Sequence, residues 1–183
     1  MFEAVLLLLQ EGGYPGVSLE MVARRAGVSR PSLYRRWANK AALVVEALAA
    51  LAGTDPAPDT GRLEEDLLAL QRQMAQLYNS ALARAVVPSL LGDLVSQPDL
   101  AGRFRAAYIC PRRASVRRAL QRAIGRGEID HADSELICDL LAGPLLLEAF
   151  VLDRRIDDAY VLATVRAVMT VLTASQARPN DDE

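Results

Sequence analysis

The four residues Ala26-Gly27-Val28-Ser29 constrain this chain more than any other stretch, because they separate two short apolar-periodic runs by one tight turn. Leu19, Val22, Ala23 and Ala26 recur at i, i+3, i+4 and i+7, which is one face of a helix. Ser18 stands just ahead of them. Its hydroxyl is placed to accept an amide that the opening turn leaves free. Gly27 follows at once, and helices end most readily on a residue that tolerates the left-handed region. Val28 is expected to plug the turn from inside. Ser29 is a second cap, and Pro31 sits in the next first turn, where a missing N–H is no loss. Leu33 and Trp37, four apart, form the buried face of that second helix, so Arg30, Ser32, Arg35 and Arg36 point outward.

Two helices joined this way make a helix-turn-helix, whose second helix enters the major groove of DNA. Arginine suits the task, since its planar fork grips guanine edges or phosphate. The charge is placed accordingly. Ser18 to Lys40 holds six basic residues (Arg24, Arg25, Arg30, Arg35, Arg36, Lys40) and one acid, Glu20, a net of +5, while the whole chain is −2. A local positive field in an otherwise acidic chain is the footprint of a nucleic-acid contact.

The run G-Y-x-G-V-S-x-x-x-V-A-x-x-A-G-V-S-x-x-x-L-Y-R-R-W-x-N-K resembles the DNA-binding domain of TetR-type (tetracycline-repressor-like) transcriptional regulators, over residues 12 to about 48. The A-G-V-S turn, the Leu33-Tyr34 pair and Lys40 carry the likeness. It implies a homodimeric all-α repressor whose C-terminal domain binds a small molecule and releases DNA. It also implies that Ser18, Tyr34 and Lys40 match backbone-contacting positions, and that Arg30, Pro31, Ser32, Arg35 and Arg36 match positions near bases. Other readings stand beside these. Ser18 works as a cap without DNA, Tyr34 as half-buried packing, and Arg24 and Arg25 as solvated surface charge. Either Arg35 or Arg36 could be the one that reaches a base.

The chain departs from the family at its start. Phe2, Val5, Leu6 and Leu9 form a helical stripe ending at Gly12-Gly13, but Met1 lies inside that helix, where the family begins a turn or more earlier with basic residues. Tyr14 and Val17 close the bottom of the small core, around the turn at Pro15-Gly16. Asn39 is a cap for a fourth helix, Lys40 to Ala52, with Ala42, Leu43, Ala47, Leu48 and Leu51 inward. Lys40, the one lysine beside twenty arginines, falls in its first turn, where helix amides also attract anions.

Gly53 to Gly61 (GTDPAPDTG) reads as a linker. It divides the chain into a helix-turn-helix domain, 1–52, and a ligand-binding and dimerisation domain, 62–183. Residues 1–52 carry six basic and four acidic side chains, net +2, and residues 53–183 carry 15 and 19, net −4. So short an N-terminal domain buries only about 60% of its unfolded surface. The fourth helix is therefore expected to dock on the second domain.

Beyond the linker the pattern is helical throughout, giving an all-α chain of about nine helices. Leu63 to Leu82 is one helix, and Pro88 to Val95 a short piece. After a turn at Gln97-Pro98-Asp99, Leu100 to Arg126 is a long helix kinked at Pro111. Arg112, Arg113, Arg117, Arg118 and Arg122 along it invite a second DNA surface, but a solvated face explains them as well. His131, the one histidine, lies in a loop. The next helix starts at Asp133 or Ser134, runs to about Asp153 and is kinked by Gly143-Pro144. From Leu136 to Leu152 only Asp139 and Glu148 are charged, so it is covered from more than one side. Asp157 caps the last helix, which bears Tyr160, Leu162, Ala163, Val165, Val168, Met169, Val171 and Leu172. Pairing these two helices with their copies gives a four-helix dimer interface. The strings PRRAxxRxxL, GEI and LLAGPL resemble one C-terminal subgroup of the same regulators.

Met74, Leu77, Tyr78, Leu91, Phe104, Tyr108, Cys138 and Leu141 are candidates to line an effector pocket, suited to an apolar or aromatic molecule, though the same residues serve as plain core. Cys110 and Cys138 have no neighbour at metal-ligand spacing, so no zinc, and no cofactor, is expected. No catalytic residues are expected either, since no phosphate-binding glycine motif or carboxylate pair occurs; a helical enzyme is the remote alternative. A DNA-binding regulator without an effector is the nearer one. No apolar run reaches the ~20 residues that span a bilayer, and a cytoplasmic protein without membrane contact is expected.

Overall fold

The computed structural model describes residues 1–52 and 58–176, all helices and connections. The helices are α1 (Phe2–Gly12), α2 (Leu19–Ala26), α3 (Arg30–Arg36), α4 (Lys40–Ala52), α5 (Leu63–Asn79), α6 (Ala81–Ser96), α7 (Pro98–Phe104), α8 (Cys110–Gly125), α9 (Ser134–Leu146) and α10 (Asp158–Gln176). A π-helical turn, Arg105–Ile109, fuses α7 to α8, and another, Leu147–Val151, extends α9. With α7 and α8 counted as one rod, nine rods result among the described residues. No helix among them is long and apolar enough to cross a membrane. Residues 53–57 of the expected linker and the PNDDE tail lie outside the described residues.

The chain packs as two compact units that do not follow the linear division. Residues Met1–Thr54 group with Ser80–Pro111, and Asp55–Asn79 with Arg112–Glu183. The small N-terminal domain gains the surface it lacks from α6 and α7. Leu82, Val86, Leu90 and Leu100 join Val5, Leu9, Val22, Leu33, Trp37, Leu43 and Val44 in one core. As expected, α4 docks on helices beyond the linker: it packs against α7 and the π turn after it. Its start is buried on every side, Ala41 to Val45 together, which sequence periodicity alone did not indicate.

The second unit holds α5, α8, α9 and α10 in two apolar clusters. In one, Leu63 and Leu67 meet Leu120, Ile137, Leu141, Val165 and Val168. In the other, Tyr78 and Ala75 meet Leu145, Ala149, Ile156 and Val161, with Phe150 set edge-on to Tyr78 at 4.8 Å. Two polar groups are buried with them. Gln71 donates to the Leu141 carbonyl at 2.9 Å. Asp66 accepts from the Thr60 amide at 2.8 Å and from Arg122 at 3.2 Å.

Several boundaries differ from expectation. The helix expected to reach Leu82 breaks at Ser80, whose hydroxyl caps α6 on the Ala83 amide at 3.1 Å. The Asn79 side chain holds the break by pairing with both backbone groups of Ile156, at 2.7 and 3.0 Å. Pro88 does not begin a separate piece but lies inside α6. The long helix starts two residues early, with Pro98 in its first turn and Gln97 as the residue shared with α6. Its irregularity is the π turn just ahead of Pro111, where a ring without an N–H follows a widened turn. It ends in a Schellman motif: Gly127 at φ 71°, its amide on the Ile124 carbonyl and the Glu128 amide on that of Ala123, both at 3.0 Å. The α9 rod ends at Val151, its widened turn placed three residues after Pro144. Of the two starts left open for α9 the structure takes Ser134, with Asp133 as its cap, and Asp157 caps α10 as the sequence indicates.

Candidate nucleic-acid interface

Local chemistry builds the α2–α3 corner. The Ser18 hydroxyl accepts the Met21 amide at 3.2 Å. Gly27 sits in the left-handed region at φ 67°, and the Val28 amide closes the helix on the Ala23 carbonyl at 3.1 Å. Val28 is not the internal plug that the sequence suggests. Its amide finishes α2 while its side chain stays 38% exposed. The Ser29 hydroxyl accepts the Ser32 amide at 3.4 Å and lies 2.8 Å from the Ser32 hydroxyl.

Leu33 and Trp37, each 1% exposed, set the rotation of α3. Phe2 meets the Trp37 ring edge-on at 6.3 Å, which ties α1 beneath the corner. With that phase fixed, Arg30, Pro31, Ser32, Tyr34, Arg35 and Arg36 are all exposed. The Arg36 guanidinium stacks 4.7 Å from the centre of the Trp37 ring and reaches Glu46 at 3.8 Å. Tyr34 donates its hydroxyl to Glu20 on α2. That bond holds the Glu20 carboxyl below, and the Tyr34 phenol above, its ordinary pKa. Arg25 forms a two-pronged pair with Glu11, at 2.5 and 2.7 Å, so it braces α2 on α1. Lys40 is half-buried at the start of α4, where Asn39 caps the Ala42 amide at 2.9 Å.

Glu20 and Glu46 were not among the residues singled out from sequence. Glu20 had one visible signal, as the lone acid of the basic stretch. Three of the arginines of α8 pair with carboxylates: Arg113 with Glu135 and Asp139, Arg117 with Glu135, Arg122 with Asp59 and Asp66. The eight pocket candidates divide. Leu91, Phe104 and Tyr108 belong to the first unit, with Phe104 stacked on Tyr108 at 5.0 Å. Met74, Leu77, Tyr78, Cys138 and Leu141 belong to the second. There, burial pushes the Cys138 thiol above its ordinary pKa.

Comparison with known proteins decides the family. Residues 3–54 match the model for bacterial regulatory proteins of the tetR family, and residues 57–168 match that for the tetracyclin repressor-like C-terminal domain. The chain belongs to the TetR family of transcriptional regulators. It is 33% identical over 184 residues to a DNA-binding transcriptional repressor TetR of Mycobacteroides abscessus, covering 97% of this chain and 94% of that one. It is 30% identical over 173 residues to the uncharacterized HTH-type regulator YdeS of Bacillus subtilis, covering 93% and 86%. The crystal structure of the TetR family regulator SCO0332 superposes with a TM-score of 0.80 at 32% identity, covering 92% of this chain and 94% of that one. TetR-family regulators bind DNA through the helix-turn-helix and dimerise. The N-terminal corner described above is that element.

Proposed function

We propose that this protein is a homodimeric repressor that binds a palindromic operator through α3 and leaves it when a small molecule occupies the second unit. The observation that carries the reading is the outward face of α3. Arg30, Ser32 and Arg35 are exposed and Arg36 is half-tethered, above an anchor of two fully buried side chains. In this reading Ser18, Tyr34 and Lys40 contact the DNA backbone, while Arg30, Pro31, Ser32, Arg35 and Arg36 lie at the bases. Residues 1–52 are the reader and residues 62–183 hold effector and partner.

The second unit offers a surface for the twin subunit. Leu136, Leu140, Leu147 and Val151 form an exposed apolar stripe on α9 and its π turn. On α10, Ala159, Ala163, Ala167 and Val171 are exposed four residues apart. Small residues on one rod and bulky ones on the other suit close four-helix packing. Such a dimer sets two copies of α3 about 34–36 Å apart, one turn of duplex, or somewhat more. An effector acts by favouring a spacing that mismatches the operator. Moving the population from 1:99 to 99:1 takes about 5.5 kcal/mol of differential affinity. The aromatic and thioether side chains around Tyr78, with Met74 and Phe150, favour an apolar or aromatic effector. The setting is the cytoplasm.

The test is selection of duplexes from a random pool by the full-length protein, followed by binding at two salt concentrations. Recovered sites with inverted repeats, bound steeply more weakly at high salt, are the expected result. Arg36→Ala should weaken binding about tenfold without lowering the melting temperature. Recovery of no enriched sequence would overturn the reading. A thermal-shift screen with apolar and aromatic compounds tests the effector half separately.

A further inference from the structure

The lysine of the reader is held in place from behind. Its ammonium donates to the Tyr14 backbone carbonyl at 3.2 Å and lies 4.4 Å from the centre of the Tyr14 ring. An ammonium has three donors. Among the described residues one is used, on the Tyr14 carbonyl, and the other two stand beside the opening amides of α4. Tyr14 is 5% exposed, so its ring is a fixed platform and not a surface contact. Its hydroxyl donates to Asp93 on α6. Burial first, and then Asp93, push the phenol well above its ordinary pKa, so it remains a donor at any working pH. One turn further along, Gln97 accepts from the Asn39 side chain at 3.1 Å. Adjacent residues of the reader, Asn39 and Lys40, are thus both tied to the C-terminal end of α6.

We propose that Tyr14 and Asp93 are positioning residues for DNA binding: the Asp93–Tyr14 hydrogen bond fixes the ring and carbonyl that aim Lys40 at a phosphate of the duplex. Neither residue touches DNA. Asp93 carries a charge that would repel phosphate directly, and it favours binding only through the phenol that it orients. The assignment rests on Lys40 being a phosphate contact, as read above.

The experiment uses the full-length chain and a fluorescent duplex selected by the wild-type protein, with affinity followed over a salt series. Lys40→Ala should weaken binding about tenfold and flatten the plot of log affinity against log salt by about one unit. Tyr14→Phe, which keeps ring and carbonyl, and Asp93→Ala should each weaken binding by about threefold and flatten the same slope in part. Asp93→Asn, which still accepts from the phenol, should restore it. On the Lys40→Ala background neither substitution should weaken binding further. An unchanged salt slope in Lys40→Ala would remove the phosphate contact, and the proposal with it. If Lys40→Ala weakens binding but Tyr14→Phe does not, or the losses simply add, Lys40 stands and the positioning role is overturned. Should Asp93→Ala not fold, Tyr14→Phe and Asp93→Asn decide between these outcomes.

Discussion

Helices α3 and α8 are both rich in arginine and use it in opposite ways. On α3, Arg30, Arg35 and Arg36 are exposed, and only Arg36 has a carboxylate within ion-pair distance among the described residues, Glu46 at 3.8 Å. On α8, Arg113 meets Glu135 at 2.5 Å, Arg117 meets Glu135 at 3.3 Å, and Arg122 meets both Asp59 and Asp66 at 3.2 Å. Counting arginines along the chain makes α8 look like the stronger DNA binder. What separates the two is where acids arrive from other elements. Those around α8 come from α5, α9 and the segment before α5, and they engage Arg113, Arg117 and Arg122. Few reach α3, so its field is left for a polyanion.

The comparison breaks most readily at α3. Replacing Arg30, Arg35 and Arg36 together by alanine should remove about 4 kcal/mol of duplex affinity, roughly a thousandfold, given ~1–3 kcal/mol for each arginine on a base. The melting temperature should hold, because none of the three is buried. Fluorescence anisotropy with a selected duplex measures the first and calorimetry the second. Retained affinity would mean that the duplex docks elsewhere.

The next effect is one of stability, in the second unit. Asp66 has no exposed surface. Burial pushes its carboxyl up, but the Thr60 amide, the Thr60 hydroxyl and the Arg122 guanidinium together outweigh that and leave its pKa below the ordinary value. Asp66→Ala strands Arg122 with fewer partners and should cost about 3 kcal/mol at neutral pH. A carboxyl whose pKa is lowered by folding contributes stability above its unfolded pKa, about 3.9, and loses it as pH falls through the folded value. Wild type and variant should therefore converge only below about pH 4 in urea melts. A gap that persists unchanged at low pH, where Asp66 is protonated in both states, would assign the loss to packing instead of charge.

What could be read from the sequence was what short-range chemistry determines. Ser18, Gly27, Ser29 and Asn39 each cap or stop a helix within three or four residues, and α4 spans Lys40–Ala52 as periodicity indicates. The outward face of α3 was legible for the same reason, since Leu33 and Trp37 fix its rotation from within. Features set by distant partners were not. The break after Asn79 depends on backbone groups of Ile156, 77 positions away. The grouping of α6 and α7 with the N-terminal helices depends on apolar surface that α1 and α4 leave open. At the site, the outward residues were found but their restraints were not. Glu46 beneath Arg36 lies a helix away, and Asp93 beneath Tyr14 is 79 positions removed.

The smallest effect sharpens the contrast most. Arg113 holds two acids, so its loss looks serious on a contact map. Its partners, however, are 60% and 65% exposed, and its own side chain is 26% exposed. Pairs so open to solvent contribute about 0.2–1 kcal/mol each after screening and side-chain entropy. Arg113→Ala should lower stability by about 1 kcal/mol, with the loss shrinking in high salt, and should leave duplex affinity unchanged. Arg35→Ala should do the reverse, with stability untouched and affinity down. A duplex that senses Arg113 as strongly as Arg35 would show that the acids of α9 do not shield α8, and the distinction between the two helices would then be one of degree.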